Sequence, residues 1–210
     1  MGTPGVERFY ARQARDYDRR WQRYQRATHD ALLTQVRGHV QRAVDVGCGT
    51  GTLLQRLLST RVAAEGFGLD VSAAMLAQAR RKLTGLNAQL LLAGAADIPL
   101  PDHSADLVTV ASVLHYVLQP SQVLREIRRV LQPEGTVGIV DYALKAGTGS
   151  LRDGLIRLYD PGHVRCRGAA ELLRMTERAG FTVDHGDRFP IDSLFDGVLI
   201  LARAPARSTH

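Results

Sequence analysis

Residues 43–54 read A-V-D-V-G-C-G-T-G-T-L-L, an apolar run that enters a cluster of glycines and continues into a helical pattern. At the end of the first strand of a parallel α/β sheet, a turn of this kind binds nucleotide-like ligands. Gly47, Gly49 and Gly51 bring the backbone close to a ligand, and the following helix offers unpaired N–H groups to a carboxylate. The dinucleotide fingerprint needs its third glycine at the position of Thr52, so the spacing disfavours a pyrophosphate ligand.

A carboxylate at the end of the next apolar run supports the same interpretation. Asp70 ends the stretch F-G-L-D, 23 residues after Gly47. From that position a carboxylate can accept hydrogen bonds from both hydroxyls of an adenosine ribose. Asp70 could instead cap the helix predicted to begin at Ala73, but Ser72 already suits that role. We therefore predict that Asp70 binds a ribose.

Short apolar runs alternate with helical stretches over the middle of the chain. The predicted strands are Ala43–Val46, Gly66–Asp70, Gln89–Ala93, Leu107–Ala111 and Val137–Tyr142. The predicted helices between them are Thr52–Leu58, Ala73–Leu83 and Ser121–Leu131. Strands that are apolar on both faces indicate a parallel sheet, and strand–helix alternation indicates a doubly wound α/β fold. The connection between the third and fourth strands is too short for more than a stub of helix.

The C-terminal part has a different pattern. Ala169–Ala179 is a predicted helix that ends at Gly180, and Phe181–Asp187 and Val198–Ala202 are predicted strands joined by a short link. Because a short link cannot make a parallel crossover, we expect these two strands to be antiparallel neighbours. The complete expectation is an α/β fold with a seven-stranded sheet, mostly parallel with an antiparallel last strand.

The first 42 residues are basic. They contain nine arginines against four acidic residues, which accounts for +5 of the net charge of +6. We predict helices over 7–27 and over His29–His39. Tyr10 and Tyr17 belong to an apolar stripe with steps of three and four residues, and the arginines form a second stripe. That second stripe is either a solvated helix face or a surface for an anionic substrate, a membrane or nucleic acid.

Length and composition limit the number of domains and the class of protein. The 210 residues, 45% of them hydrophobic, suit a single domain over 1–210. No apolar run reaches the roughly 18–20 residues of a membrane span, and the start lacks a secretory signal. Two cysteines without a C-x-x-C spacing disfavour a disulfide framework or a metal site and fit a cytoplasmic location. The expected parts are an N-terminal helical cap (1–41), a ligand-binding core (42–142), a substrate-side insertion (143–168) and a C-terminal helix with two strands (169–204).

Two motifs carry a resemblance to a known family. The stretch D-V-G-C-G-T-G at 45–51 and the stretch L-D-V-S-A-A-M-L-A-Q-A-R at 69–80 resemble the small-molecule branch of class I S-adenosylmethionine-dependent methyltransferases, which includes enzymes of ubiquinone and menaquinone biosynthesis. The resemblance continues through Ala105–Val117, Leu131–Asp141 and the A-R-D-Y-D of residues 14–18, in the family's order. It implies a Rossmann-like fold and S-adenosylmethionine as methyl donor, with S-adenosylhomocysteine as product.

The resemblance also implies roles for individual residues. Asp45 and the glycines would hold the methionine moiety, and Asp70 would hold the ribose. Tyr17, together with Tyr10, would close over the cofactor. The other implied cofactor-binding residues are Val71 and Met75 against adenine, Ala95 and Ala96 through their backbone, and Ala111 and Ser112 through a backbone carbonyl. Family members often have an aspartate where this chain has Gly94.

Methyl transfer from a sulfonium mainly requires alignment of donor and acceptor, so we expect no covalent nucleophile. Tyr17 is one catalytic candidate, because an aromatic face attracts a sulfonium. His115 is another, as a general base, because it follows the fourth strand at the edge where the ligand is expected. Tyr142 and His163, with His115, are candidates for binding the methyl acceptor. A small-molecule or lipid-like acceptor is favoured over nucleic acid, because little chain remains outside the core to build its pocket.

Other functions fit the same motifs. A non-catalytic S-adenosylmethionine-binding partner or regulatory protein would keep the same glycines and Asp70, since these bind the cofactor. A nicotinamide oxidoreductase would share the sheet, although Thr52 argues against it. A methyltransferase that contacts a membrane peripherally through its arginine stripe is a narrower form of the main hypothesis. Nothing in the sequence indicates the oligomeric state or the atom that is methylated.

Overall fold

The computed structural model describes residues 4–144, 160, 162–191 and 195–206. Its elements are α1 (Pro4–Gln13), α2 (Tyr17–Gln35), β1 (Val40–Val46), α3 (Thr52–Ser59), β2 (Ala63–Asp70), α4 (Ala73–Lys82), β3 (Ala88–Leu92), β4 (Ala105–Ala111), α5 (Pro120–Val130), β5 (Leu131–Leu144), α6 (Ala169–Arg178), β6 (Thr182–Pro190) and β7 (Phe195–Arg203). A short 3₁₀ helix, Leu114–Tyr116, lies between β4 and α5. Among the described residues, no helix is long and apolar enough to cross a membrane.

The strands form a seven-stranded sheet in the order β3-β2-β1-β4-β5-β7-β6. The adjacent strands β3, β2, β1, β4 and β5 all run parallel to one another. Strand β7 runs antiparallel to both of its neighbours, β5 and β6. The predicted mostly parallel sheet with an antiparallel last strand is therefore confirmed. The chain reverses its direction of winding between β1 and β4, and ligands of such sheets bind at this point, beyond the carboxyl ends of the strands.

Apolar layers pack on both faces of the sheet. One layer includes Leu32 of α2 and Leu54 of α3, and the other includes Ile127 of α5. Strand β1 contributes to both, because successive side chains point to opposite faces: Ala43 packs in the first layer and Val44 in the second. Each such buried leucine or isoleucine contributes roughly 1.5–3 kcal/mol of transfer free energy. These layers hold the ends of β1, β2 and β4 side by side.

The N-terminal helices differ from the prediction. The chain breaks between α1 and α2 at residues 14–16, where the Asp16 N–H donates to the Gln13 carbonyl (3.0 Å), so a single helix over 7–27 is wrong. Because of this break, Tyr10 of α1 and Tyr17 of α2 both line the same cavity. The boundary predicted near Thr28 does not exist either, because α2 runs without a break from Tyr17 to Gln35. The Thr28 hydroxyl donates to the Tyr24 carbonyl within this helix (3.0 Å).

Other boundaries differ by a few residues. Strand β5 begins at Leu131, directly after α5, because Leu131 pairs with Ala105 before a register shift. The connection between β3 and β4 contains turns and no helix, as expected. Within the predicted insertion, β5 continues to Leu144, and residues 145–159 and 161 lie outside the described residues.

Candidate functional site

A cavity of about 470 Å³ opens at the carboxyl ends of β1, β2 and β4. This volume lies within the range of about 300–1,000 Å³ that is typical of small-molecule sites. Its wall includes eleven of the sequence-predicted site residues: Tyr10, Tyr17, Gly47, Gly49, Asp70, Val71, Met75, Ala95, Ala96, Ala111 and Ser112. Predicted residues outside its wall are Asp45, Gly51, His115, Tyr142 and His163.

The glycine turn is shaped by its protein neighbours as well as by the cavity. A Cβ at Gly47, whose φ is +72°, would lie 2.3 Å from a methyl group of Val113. At Gly51 the added Cβ would press on Ala79 of α4, at 3.0 Å, so this glycine allows α3 and α4 to pack. A Cβ at Gly49 would meet nothing within 4 Å. Of the three glycines, Gly49 therefore leaves open space where the cavity lies.

Asp70 is held at the cavity by the backbone of two neighbouring segments. Its Oδ2 accepts a hydrogen bond from the Gly49 N–H (2.9 Å), and its Oδ1 accepts one from the Ser72 N–H (2.8 Å). Burial raises the pKa of the Asp70 carboxyl, and these backbone hydrogen bonds oppose the shift. Because a carboxylate oxygen has two lone pairs, each oxygen retains one for a ligand hydroxyl. Asp70 is thus a fixed double acceptor that lines the cavity.

The wall beyond Asp70 is apolar and built partly from backbone. Val71, Met75, Ala95 and Ala96 line it. Gln122 of α5, which the sequence analysis did not identify, also lines it and donates from Nε2 to the Ala96 carbonyl (3.3 Å). Gln122 is an ordinary polar residue in a helix, so no pattern could have marked it.

Asp45 lies behind the glycine turn and is only 2% exposed. The Thr109 hydroxyl donates to its Oδ1 (2.7 Å). Burial raises the pKa of the Asp45 carboxyl to about 7, and the nearby Asp70 charge adds to this shift. Asp45 lines a smaller pocket of about 40 Å³ that lies against the main cavity.

Tyrosine rings form another wall of the cavity. Tyr10 of α1 packs against Tyr17 of α2 and against Tyr116 of the 3₁₀ helix, with ring centroids 5.6 and 5.5 Å apart. The Tyr10 hydroxyl donates to the Tyr116 hydroxyl (2.5 Å), which in turn donates to the Asp160 carboxylate. Burial raises the pKa of all three phenols, so the rings remain neutral at ordinary pH. Tyr116 and Asp160 were not identified from the sequence.

His115 is buried behind this wall, with 2% of its surface exposed. Its Nδ1 donates to Asp141 Oδ1 (2.6 Å), and its backbone N–H donates to Asp141 Oδ2 (3.1 Å). The imidazole packs against the rings of Tyr116 and Tyr142, with centroids 4.0 and 4.3 Å away. His115 is therefore held rigidly next to a cavity-lining ring and does not itself line the cavity.

The two other predicted acceptor-binding residues belong to the same buried cluster. The Tyr142 hydroxyl and His163 Nδ1 share a hydrogen bond (3.1 Å). The segment that carries His163 is attached to the 3₁₀ helix, because the Val164 N–H donates to the His115 carbonyl (2.9 Å). Arg167 adds a second attachment, donating to the Leu114 carbonyl (2.6 Å).

An ionic cluster that carries no sequence motif fastens α2 to the glycine turn. The Asp18 carboxylate accepts hydrogen bonds from the Thr50 hydroxyl (2.5 Å) and from Lys82 Nζ (2.6 Å). Asp18 directly follows Tyr17, so the cluster fixes the start of α2 against the cavity. Asp18 and Lys82 lie 64 residues apart, and nothing in the sequence pairs them.

The arrangement fits an adenosyl cofactor. The fixed double acceptor at Asp70 suits two vicinal hydroxyls, and the open space at Gly49 allows the ligand to approach the backbone. The apolar wall around Met75 suits a purine, and the aromatic faces of Tyr10 and Tyr17 suit a sulfonium.

Known proteins are similar to this chain in sequence. Residues 44–139 match the family described as methyltransferase domain. A demethylmenaquinone methyltransferase from Lactobacillus johnsonii is 41% identical over 105 residues, which cover 47% of this chain and 43% of that relative. The chain spans about half the length of the curated relatives that it matches.

Solved structures share the fold. A Haloferax volcanii protein solved in complex with a methyltransferase activator has a TM-score of 0.79 at 22% identity, covering 93% of this chain and 97% of that one. A Haemonchus contortus phosphoethanolamine N-methyltransferase solved with S-adenosylmethionine has a TM-score of 0.74 at 16% identity, covering 84% of this chain and 52% of that one. At these identities the likeness concerns the fold alone. The match over residues 44–139, the fold and the cavity together identify a methyltransferase domain of the class I S-adenosylmethionine-dependent kind, with S-adenosylmethionine as its cofactor.

Proposed function

We propose that the protein transfers the methyl group of S-adenosylmethionine to a small-molecule or lipid-like acceptor. The observation that carries this proposal is the Asp70 carboxylate, fixed by two backbone N–H groups at the wall of a cavity that tyrosine rings also line. A ribose-binding carboxylate and aromatic faces in one cavity match the two ends of an adenosyl sulfonium.

The proposed cofactor contacts follow from the lining of the cavity. Asp70 holds the ribose, while Val71, Met75 and the backbone of Ala95 and Ala96 enclose the adenine. The ends of β1 and β4, including Asp45, Gly47, Gly49, Ala111 and Ser112, receive the methionine moiety. Tyr17 and Tyr10 cover the sulfonium.

The sulfonium supplies a good leaving group, so the reaction is an in-line displacement that needs alignment more than activation. Alignment of bound reactants can contribute about 7–11 kcal/mol to the rate. An aromatic face next to a sulfonium adds roughly 0.5–2 kcal/mol of attraction. Tyr17 is well placed for this role, because α1, α2 and the ionic cluster at Asp18 all restrain it.

His115 fits a positioning role better than direct proton transfer. Its imidazole is buried behind Tyr116 and does not line the cavity. Paired with Asp141, it holds the Tyr116 ring at the wall on which the acceptor approaches. The position of His115 after β4 predicts a direct role as general base. That role requires an acceptor that reaches past Tyr116, and it remains a prediction.

The acceptor is expected to be largely apolar. Val6, Val117 and Leu118 line the cavity, and Leu118 is 66% exposed. An apolar side chain so exposed at the rim suits an acceptor that extends out of the cavity. One of the relatives is a demethylmenaquinone methyltransferase.

We also propose a peripheral contact between the N-terminal helices and an anionic lipid surface. Arginines 8, 12, 15, 20 and 23 are exposed on α1, α2 and the turn between them. Trp21 is 39% exposed on the same segment, with the Arg20 guanidinium 5.9 Å from its ring centroid. Exposed arginines with an interfacial tryptophan are typical of membrane-surface helices. Binding to phosphatidylserine vesicles that disappears at high salt is the expected result.

The experiment that tests the main proposal is methyl transfer from methyl-labelled S-adenosylmethionine into fractions of a cell extract. The expected result is a labelled organic-soluble or small-molecule product that is absent with the Asp70→Ala variant. Cofactor binding without any loss of its methyl group in any fraction would instead identify a non-catalytic binding protein.

A further inference from the structure

A chain of hydrogen bonds leads out of the cavity through three side chains. The Tyr10 hydroxyl donates to the Tyr116 hydroxyl, and the Tyr116 hydroxyl donates to the Asp160 carboxylate. Both tyrosines line the cavity, whereas Asp160 lies behind them. Because both bonds point the same way, the carboxylate is the final acceptor of the chain. The Tyr10 oxygen at the other end can accept a hydrogen bond from a ligand.

The chain begins where the two reactants are expected to meet. The Tyr10 ring packs against Tyr17, which the proposed function places at the sulfonium, with ring centroids 5.6 Å apart. The same ring packs against Tyr116, on the wall that the acceptor approaches, with centroids 5.5 Å apart. The atom that receives the methyl group must lie next to the sulfonium. A polar group on that atom is therefore expected within reach of the Tyr10 hydroxyl.

Asp160 is held in place at the far end of the chain. Its Oδ2 accepts the hydrogen bond from Tyr116, and its Oδ1 accepts one from the Gly162 N–H (3.1 Å). A Cβ at Gly162 would lie 2.7 Å from a methyl group of Val6, so this turn packs directly against α1. The Asp160 residue is partly exposed. A proton that reaches its carboxylate can therefore pass on to solvent.

The groups that face Asp160 are uncharged phenols. Burial raises the pKa of each phenol, and the Asp160 charge raises it further, for Tyr10 on α1, Tyr17 on α2, Tyr116 on the 3₁₀ helix and Tyr142 on β5. On its own segment, the Asp160 carbonyl accepts a hydrogen bond from the His163 N–H (3.0 Å). The tyrosines of the chain therefore stay protonated at rest and can pass a proton along, while Asp160 supplies the base.

We propose that the methyl acceptor carries a hydroxyl group and that the chain from Tyr10 through Tyr116 to Asp160 removes its proton. The proposal rests on the proposed methyl transfer. The acceptor oxygen bonds to the methyl carbon as the carbon–sulfur bond breaks, and the sulfur keeps the electron pair. The acceptor proton passes to Tyr10 as the Tyr10 proton passes to Tyr116 and the Tyr116 proton passes to Asp160. The products are a methyl ether, a neutral thioether and a protonated carboxyl group, which releases its proton to solvent.

A hydroxyl group gains more from such a chain than other acceptors do. A phenol, with a pKa of about 10, keeps its proton at neutral pH and is then a weak nucleophile. Its oxygen becomes strongly acidic as the bond to the methyl group forms, so a carboxylate can take the proton in the transition state. A carboxylate acceptor has no proton to remove, and a neutral amine attacks with its lone pair before it loses a proton.

The test measures methyl transfer from labelled S-adenosylmethionine to the labelled acceptor fraction by Asp160→Asn. The asparagine oxygen can still accept the hydrogen bond from Tyr116, but it cannot take up a proton. We expect the rate to fall about a hundredfold and S-adenosylhomocysteine affinity to stay within about twofold. Asp160→Glu, which keeps a carboxylate, should recover part of the rate. Asp187→Asn is the matched charge control and should alter neither quantity.

A second variant and a pH profile test the chain as a unit. Tyr116→Phe keeps the ring in the wall but interrupts the chain, so the rate should fall by a similar factor. The double variant with Asp160→Asn should lose no more than the worse of the two single variants, since the three residues act together. The rate of the unsubstituted protein should decline at acid pH as Asp160 takes up a proton, and Asp160→Asn should lack this decline. Thermal unfolding of each variant controls for loss of structure.

The outcomes separate the inference from the proposed function. An NMR spectrum of the product that places the new methyl group on an atom other than oxygen would overturn the inference, as would an unchanged rate in Asp160→Asn. Losses that multiply in the double variant would also overturn it and would show that both residues only support the wall. Each of these results leaves methyl transfer itself standing. A lack of transfer by the unsubstituted protein to any fraction would overturn the proposed function, and the inference with it.

Discussion

The two ends of the cavity are built in different ways. The cofactor end, which comprises the glycine turn and Asp70 with the start of α4, comes from one contiguous part of the chain, and its central hydrogen bonds join a side chain to nearby backbone. The proposed acceptor end has Tyr116 in the cavity wall, and His115, Asp141, Tyr142, Asp160 and His163 lie behind it, so that it draws on three separate parts of the chain. Its hydrogen bonds join residues that are up to 106 positions apart. We therefore expect substitutions at the two ends to affect different steps.

The largest effect is expected from Asp70→Ala. The loss of two hydrogen bonds to a charged acceptor costs about 3–6 kcal/mol, so cofactor affinity should fall by a factor of about 100 or more. Calorimetry with S-adenosylhomocysteine measures this change. Asp97→Ala is the matched control, because Asp97 lies in the neighbouring β3–β4 connection but is exposed and does not line the cavity. Equal affinities in the two variants would contradict the ribose assignment.

The same difference explains what the sequence could predict. Strand alternation and the glycine spacing are local patterns, and they predicted the sheet and a cavity that Gly47, Gly49 and Asp70 line. The partners of His115 are not local, since Asp141 reaches it only because β4 and β5 pair in register. The sequence analysis therefore predicted His115 as a residue near the ligand and could not predict that Tyr116 would line the cavity in its place.

The break between α1 and α2 shows another limit. Helical periodicity continues through residues 14–16, so the stripe predicted one helix. The break depends instead on tertiary packing, because Ala14 is buried and Tyr10 contacts both Tyr17 and Tyr116.

The second prediction concerns the pH dependence of stability at the cofactor end. Burial raises the pKa of Asp45 to about 7 from 3.8, so the folded protein holds a proton there that the unfolded chain releases. The stabilisation from this group is present below about pH 4 and is lost as pH rises through about 7, a change of up to about 4 kcal/mol. His29 acts in the opposite direction between about pH 4 and 6.5, because its folded-state pKa is lowered.

The variant Asp45→Asn separates the pH dependence of stability due to Asp45 from that due to His29. Asp45→Asn keeps an acceptor for the Thr109 hydroxyl but cannot titrate, so its stability relative to the unsubstituted protein should increase as pH rises from about 4 to 7. Urea unfolding across this range measures the difference. A difference that does not vary with pH would show that Asp45 has an ordinary pKa in the folded protein.

The third prediction tests the close contact between Gly47 of the glycine turn and Val113. Gly47→Ala should destabilise the fold by about 1–2 kcal/mol through its positive φ and by a further ~1–3 kcal/mol through the clash with Val113. Gly85→Ala is the control, because Gly85 has a φ of +81° and no atom within 4 Å of an added Cβ. Denaturant unfolding should show the larger loss at Gly47, and Val113→Ala in the same chain should recover part of it. Equal losses at the two glycines would mean that Val113 does not restrict the turn.

The smallest effect is expected from Asp141→Asn, at the acceptor end. The carboxylate accepts hydrogen bonds from the His115 ring, the His115 backbone and the Tyr142 backbone, and an amide can satisfy only some of these donors. The loss of one charge-assisted hydrogen bond, about 1.5–3 kcal/mol, loosens the support of Tyr116. We expect methyl transfer to the labelled acceptor fraction to fall about tenfold or more.

The affinity of Asp141→Asn for the cofactor shows whether the two ends of the cavity act in separate steps. In Asp141→Asn, S-adenosylhomocysteine binding should stay within about twofold, since Asp141 supports the acceptor wall and does not line the cavity. Asp187→Asn, at an exposed position of β6, controls for the charge change and should alter neither quantity. If Asp141→Asn weakened cofactor binding as much as turnover, Tyr116 would belong to the cofactor end, because its ring would then be needed to hold the cofactor before any acceptor arrives.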